Sequence, residues 1–258
     1  MNQLPSLAPL ALAVTCSLVG CVTDDAALGS AEQRVAGGAI VLPGGGTGQS
    51  QQVMTDFEAP LVVLVVDTFG QPIEGATVRF DAPADGATAF VADAPPTDRD
   101  GLTSVDVMAG PLAGTYTIDA SVHGASAVSF VLRNRAGAPR AVVPVDGTAQ
   151  QASVGRAFAR PLAVRVTDTY GNPVAGTPVE FAAPTSGATA QLSAAVAMTD
   201  TDGLATVTAT AGDVAGTYMV GAQLGNVGSI AFVLSNVAAV TPIDRPWIGI
   251  DGNAQRSR

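Results

Sequence analysis

Apolar and polar side chains alternate along much of the chain. In LAVRV, Leu162, Val164 and Val166 fall on one side and Arg165 on the other. Val179 and Phe181 flank Glu180, and Tyr116, Ile118, Ala120 and Val122 alternate with Thr, Asp and Ser. A period of two marks a strand with one buried face. Turn residues separate such runs at intervals of about eight to twelve positions, a spacing expected of a sandwich or barrel. The pattern predicts an all-β chain.

The runs occur in two sets. DTFGQPIEG starts at Asp67 and DTYGNPVAG at Asp168, and the likeness extends outward from both. GTGQSQQV (46–53) matches GTAQQASV (147–154), VRFDAPADGATA (78–89) matches VEFAAPTSGATA (179–190), and TDRDGL (97–102) matches TDTDGL (199–204). AGPLAGTY (109–116) matches AGDVAGTY (211–218), and SFVLRN (129–134) matches AFVLSN (231–236). A duplication at this spacing predicts two tandem domains. Each offers about seven strands over about ninety residues, the count of an immunoglobulin-like β-sandwich. The body of the chain holds no cysteine, so each core must close without a disulfide.

A phrase written once per domain reads as a turn. Gly70 and Gly171 supply a backbone that tolerates positive φ, and Pro72 and Pro173 set an extended exit toward the next strand. Asp67 and Asp168 have the reach to accept hydrogen bonds from amides of that turn. Tyr116 and Tyr218, each after Ala-Gly-Thr, sit where a tyrosine corner bonds its hydroxyl back to the backbone. TDRDG and TDTDG resemble the start of a calcium loop but lack its later ligands, so an Asx turn is the simpler reading.

The stretches VTDTYGNPVAGTPVEF (166–181), TDTDGLATVTATAG (199–212) and AGTYMVGA (215–222) resemble the bacterial immunoglobulin-like domain of the invasin and intimin type (group 1), with weaker equivalents in the first copy. The resemblance implies two tandem sandwiches of antiparallel strands used as stacked spacers on a bacterial surface. The expected role is therefore a structural spacer or scaffold, or an adhesion module working through sandwich surfaces and loops. The known adhesins also carry an outer-membrane barrel and a terminal lectin-like domain. The linker RNRAGAPRAVVPVDG (133–147), with Pro139 and Pro144, predicts restricted bending between the copies.

The opening MNQLPSLAPLALAVTCSLVGC is uncharged from Leu4 to Val19, too short for a spanning helix and interrupted by Pro5 and Pro9. Its end, Leu18-Val19-Gly20-Cys21, resembles the bacterial lipoprotein signal. That likeness implies cleavage after Gly20 and a lipid on Cys21, tying the protein to the outer membrane. An amino end free of Lys and Arg departs from the pattern. The expected division is a signal peptide over 1–20, a flexible tether over 21–45, domains over 46–136 and 144–237, and a disordered tail over 238–258. The tail holds Trp247 and Ile248, with the alternative that WIGI adds as a strand to a sheet edge.

Composition narrows the chemistry. The net charge is −10, and all twelve basic residues are Arg, which argues against nucleic acid and against a polybasic membrane patch. The one histidine, His123, stands beside a turn glycine, and its counterpart in the second copy is Gly225, a poor basis for a catalytic triad. Cys16 and Cys21 both lie in the N-terminal segment, so neither a cysteine nucleophile nor a cysteine metal site is available to the sandwiches. No lysine, P-loop or dinucleotide fingerprint is present. The expectation is a protein without catalysis, cofactor or metal. Its partners would be the membrane, reached through the lipid, and a protein or glycan whose identity the sequence does not give. The alternative is a secreted or periplasmic module that binds carbohydrate or peptide through its loops. Aromatics at 5% weaken a sugar platform.

Overall fold

The structure, a computed structural model, describes residues 38–239. The expected signal peptide over 1–20, Cys21, the expected tether up to residue 37 and the tail from residue 240 lie outside the described residues.

The first sandwich contains β1 (Ala39–Gly45), β2 (Ser50–Gln52), β3 (Leu61–Asp67), β4 (Arg79–Asp81), β5 (Ala89–Val91), β6 (Leu102–Val105), β7 (Val107–Ala109), β8 (Gly114–Ser121) and β9 (Val128–Arg135). One layer holds β1-β3-β6 with the β5-β7 pair, and the other runs β2-β9-β8-β4. The second sandwich contains β10 (Ala141–Asp146), β11 (Gln150–Ser153), β12 (Leu162–Thr167), β13 (Pro178–Ala182), β14 (Ala190–Leu192), β15 (Val196–Met198), β16 (Leu204–Val207), β17 (Ala209–Ala211), β18 (Gly216–Leu224) and β19 (Gly228–Val237). Its layers are β10-β12-β16 with β14-β17, and β11-β19-β18-β13-β15.

Two details depart from the sequence reading. Residues 39–45 are not tether, because Ala39 pairs with Asp67 and the run Ile40-Val41-Leu42 continues antiparallel along β3. The copies also hold nine and ten strand segments and not about seven, because the first strand of each changes sheet, the strands over 102–109 and 204–211 are interrupted at Asp106 and Thr208, and the second copy adds β15. β1 pairs antiparallel with β3, whereas β2 pairs parallel with β9; β10 and β11 repeat this with β12 and β19. Glycine permits the crossover. Gly46 and Gly147 have φ of 91° and 95°, and a Cβ on either would stand 2.3 Å from the carbonyl oxygen of Pro60 or Pro161. No other residue fits there without moving the backbone.

The alternation produces matching cores. Tyr116, Ile118 and Ala120 on β8 face inward beside Phe130 and Leu132 on β9, as do Tyr218, Val220 and Ala222 beside Phe232 and Leu234 in the second copy. Phe80 packs against Phe130 and Phe181 against Phe232, each with ring centroids 6.4 Å apart. Truncating either buried Phe to Ala removes about 3–5 kcal/mol.

At the C-terminal pole of each sandwich a buried asparagine completes the core. The Tyr116 hydroxyl donates to Asn134 Oδ1 at 3.0 Å, and Asn134 Nδ2 donates to the carbonyls of Thr88 and Leu112 at 2.8 and 3.1 Å. Tyr218, Asn236, Thr189 and Val214 repeat the arrangement. The tyrosine thus reaches the backbone through an asparagine side chain and not directly, as the sequence reading had it. Burial pushes the Tyr116 phenol up to about 12, against the lowering effect of its bond with Asn134. The Tyr218 phenol rises for the same reason.

Candidate functional site

The phrase that opens the argument for duplication is the place where the copies differ. In the second sandwich β12 ends at Thr167 and the chain turns through Asp168 to Asn172. Gly171, with φ of 84°, closes the turn by donating to the Asp168 carbonyl at 3.2 Å. Asp168 Oδ1 accepts from the amides of Tyr170 and Asn172 at 2.8 and 2.9 Å. The first copy builds the same turn: Gly70 has φ of 79°, and Asp67 Oδ1 accepts from Phe69 and Gln71 at 2.8 and 2.9 Å. Pro72 and Pro173 follow, and each bridges back to the preceding strand at Val66 or Thr167.

Beyond the turn the two copies diverge. Asp168 Oδ2 accepts from the Gly137 amide of the interdomain linker at 2.8 Å. Asn172 Oδ1 accepts from the Ala113 amide of the first sandwich at 2.8 Å, and Asn172 Nδ2 donates to the Pro111 carbonyl at 2.8 Å. The same Nδ2 reaches Asp168 Oδ2, also at 2.8 Å. One carboxylate therefore serves the turn with one oxygen and the joint with the other. One carboxamide binds the loop between β7 and β8 as a neighbouring strand would, through one donor and one acceptor. The joint leaves Asp168 and Asn172 only 4% and 5% exposed. In the first copy Asp67 is half-buried and Gln71 exposed.

Electrostatics follow from this geometry. Burial alone would raise the Asp168 carboxyl. The Asn172 side chain and the amides of Gly137, Asn172 and Tyr170 outweigh burial and hold it below its ordinary 3.8. The joint is flanked by two shallow clefts. Arg133 and Arg135 from β9 line one, with Pro173, Val174 and Thr201 opposite. Gln52, Met54, Arg140 and Tyr170 border the other.

The other candidate residues fall in structural places. Asp98 Oδ1 accepts from the Asp100 and Leu102 amides, and Asp200 Oδ1 from Asp202 and Leu204, each at 2.9 Å. These are Asx turns. The threonine before each is buried, with Thr97 donating to the Ile73 carbonyl and Thr199 to that of Val174. Among the described residues no three His, Cys, Asp or Glu side chains converge. His123 is exposed in the turn between β8 and β9. The sequence reading missed the joint role of Asn172 and the lock role of Asn134 and Asn236. The signal for the locks was present, since SFVLRN and AFVLSN both end in Asn.

The sequence model of the bacterial Ig-like domain (group 1) matches residues 150–235. The match covers most of the second sandwich, which is similar to that domain. The first sandwich repeats much of the second's sequence and the same strand order except for the edge strand β15. Among solved structures the chain is similar to FdeC, described as a broadly conserved Escherichia coli adhesin. That match has 20% identity over 78% of this chain and 64% of FdeC, with a TM-score of 0.42. It is also similar to InvD of Yersinia pseudotuberculosis (17% identity, 78% of this chain and 57% of that one, TM-score 0.49). A third match is the D0-D1 domain of intimin (21% identity, 78% and 97%, TM-score 0.31). The chain spans less than two thirds of the length of FdeC and of InvD.

Proposed function

We propose that the protein is a lipid-anchored spacer of the bacterial envelope, with Cys21 carrying the lipid and the two Ig-like domains holding whatever follows at a set distance and angle from the membrane. The observation that carries this reading is the hydrogen-bonded joint. A spacer has to transmit orientation from one module to the next. Asp168 and Asn172 fix the second domain on the linker and on the loop of the first through three bonds of 2.8 Å. Proline at 139 shortens the range of linker conformations further. The lipoprotein-like segment ending at Cys21 supports the anchor, and scaffolding needs no catalytic group.

Two measurements test the parts separately. Spin labels on Thr117→Cys and Met219→Cys, in a chain with Cys16 and Cys21 replaced by Ser, report the interdomain distance. A single narrow distribution is expected, and a broad one would remove the spacer role. Labelling with a clickable palmitate should mark the wild type and not Cys21→Ala. Equal or absent label in both would remove the anchor and favour a secreted or periplasmic binding module. Protease treatment of intact cells then decides which face of the membrane the domains occupy.

A further inference from the structure

The two domains end their five-stranded and four-stranded sheets differently. In the first, the edge is β4, whose Arg79 and Asp81 form an exposed ion pair at 2.6 Å. The chain that could extend that edge runs Ala94-Pro95-Pro96-Thr97. Pro95 and Pro96 lack amide hydrogens and form no strand there. In the second domain the corresponding run is Val196-Ala197-Met198-Thr199, aligned by the buried threonines with their matching bonds. It does form a strand, β15, which pairs with β13 and becomes the edge. Charge and proline are the usual means of blunting an edge. The first domain uses both, and β15 has neither.

The free side of β15 follows from its pairing. Phe181 N donates to Ala195 O at 2.7 Å, and Thr199 N donates to Thr177 O at 2.9 Å. Alternation then turns the N–H and C=O groups of Val196 and Met198 away from β13. Among the described residues nothing pairs with them. Their side chains are also uncovered, 50% and 58% exposed. They share the outer face with Pro178 and Glu180 of β13.

We propose that β15 is a self-association edge, and that its occupant is β15 of a second copy of this chain, antiparallel across a twofold axis. Centring the register on Ala197 places Val196 of each copy opposite Met198 of the other. Each such pair exchanges its outward N–H and C=O groups, so both free residues are satisfied by the same strand. The apolar side chains meet in two Val–Met pairs on one face. Residues 194–199 carry no charge, so like facing like costs no repulsion, and the nearest carboxylate on the strand, Asp200, falls opposite Ala194. The contact is isologous and closes at two copies. A three-residue strand buries far less than the about 1,200 Å² of a stable complex, so the pairing is weak and depends on concentration.

The test is residue-resolved amide exchange of the full chain, with Cys16 and Cys21 replaced by Ser so that no acyl chain drives association. Between micromolar and millimolar protein, exchange at Val196 and Met198 should slow about fivefold as most chains pair, with a matching shift in sedimentation. Met198→Pro, which copies Pro96 of the first domain, should abolish both. Met198→Lys does the same through charge, without touching the backbone, and serves if the proline variant fails to fold. Fast exchange at every concentration would overturn the proposal, and so would slowing that survives both variants. Protection that ignores concentration and vanishes on deleting residues 240–258 would assign the edge to the chain's own tail and overturn it equally.

Discussion

DTFGQPIEG and DTYGNPVAG build the same turn and do different work. Both fold an aspartate onto two amides of its own loop, and both close through a glycine with positive φ. Among the described residues only the second copy has a domain seated on it. There the free oxygen of Asp168 and the whole carboxamide of Asn172 are taken up by the linker and by the neighbouring loop. In the first copy Gln71 is exposed, and Phe69 at the tip is 87% exposed. A turn that the fold requires in both copies has been recruited as a joint in one. The difference separates what the phrase owes to the fold from what it owes to the join.

The comparison needs a position where the copies are equal, and the asparagine locks provide it. Asn134→Ala and Asn236→Ala each strand a tyrosine hydroxyl and several buried carbonyls. Each should therefore cost its own domain about 3 kcal/mol. Urea unfolding followed by amide exchange at Val63 and Val164, one core strand per domain, reads the two separately. Unequal losses would mean that the domains are not equivalent folds, and any contrast at the joint would then lose its reference. The next largest contrast is at the aspartates. Asp168→Ala should cost about 2 kcal/mol, with buried charge-assisted bonds lost, and Asp67→Ala about 1 kcal/mol, since only its turn bonds are lost. Equal costs in the same exchange experiment would show that the joint bonds add nothing.

Acid probes the same carboxylate without mutation. Its folded value is depressed, so its contribution is fully present above the ordinary 3.8 and is lost as pH falls through the lower folded value. The interdomain distance distribution should stay narrow through mild acid and broaden only below the usual carboxylate range. Broadening that starts well above 3.8 would mean that Asp168 is not what holds the domains.

Much of the fold was readable from the sequence because its causes are local. Period-two alternation places Ile118 and Val220 in their cores, and the nine-residue phrase carries its own glycine and proline. The joint was not readable, because it is made by residues far apart in the chain. Asn172 meets Ala113 and Pro111 across 59 and 61 positions. Nothing near Asn172 distinguishes an amide that caps a turn from one that grips another domain. The first strand was misplaced for a related reason. The glycines at 44–46 suggested a tether, but the Ile40-Val41-Leu42 run before them finds its partner only in β3. The edge strand β15 lacked clear alternation as well, since Ala-Ala-Val-Ala-Met is apolar throughout and takes its inward and outward sense from β13.

The smallest effect gives the sharpest reading of the comparison. Asn172 and Gln71 occupy the same turn position and differ by one methylene, yet only Asn172 is buried, at 5% exposure. Asn172→Ala removes two bonds to the first domain and one to Asp168, but the freed groups of Pro111 and Ala113 lie at a joint that water can enter. The expected loss is about 1 kcal/mol, and Gln71→Ala should stay within about 0.5 kcal/mol of wild type. Stability is the weaker readout here. A joint held by the pairing of Asn172 with a backbone loop should widen the distance distribution in Asn172→Ala while each core keeps its exchange protection. Asn172→Gln tests the length of the side chain alone: the same donor and acceptor, placed one methylene further out, no longer meet Pro111 and Ala113 without tilting the domain. If Asn172→Gln stays as narrow as the wild type, the amide chemistry suffices and a glutamine such as the first copy's Gln71 is an equally competent joint residue. If it broadens like Asn172→Ala, the choice of Asn over Gln is what distinguishes the second copy's turn from the first's.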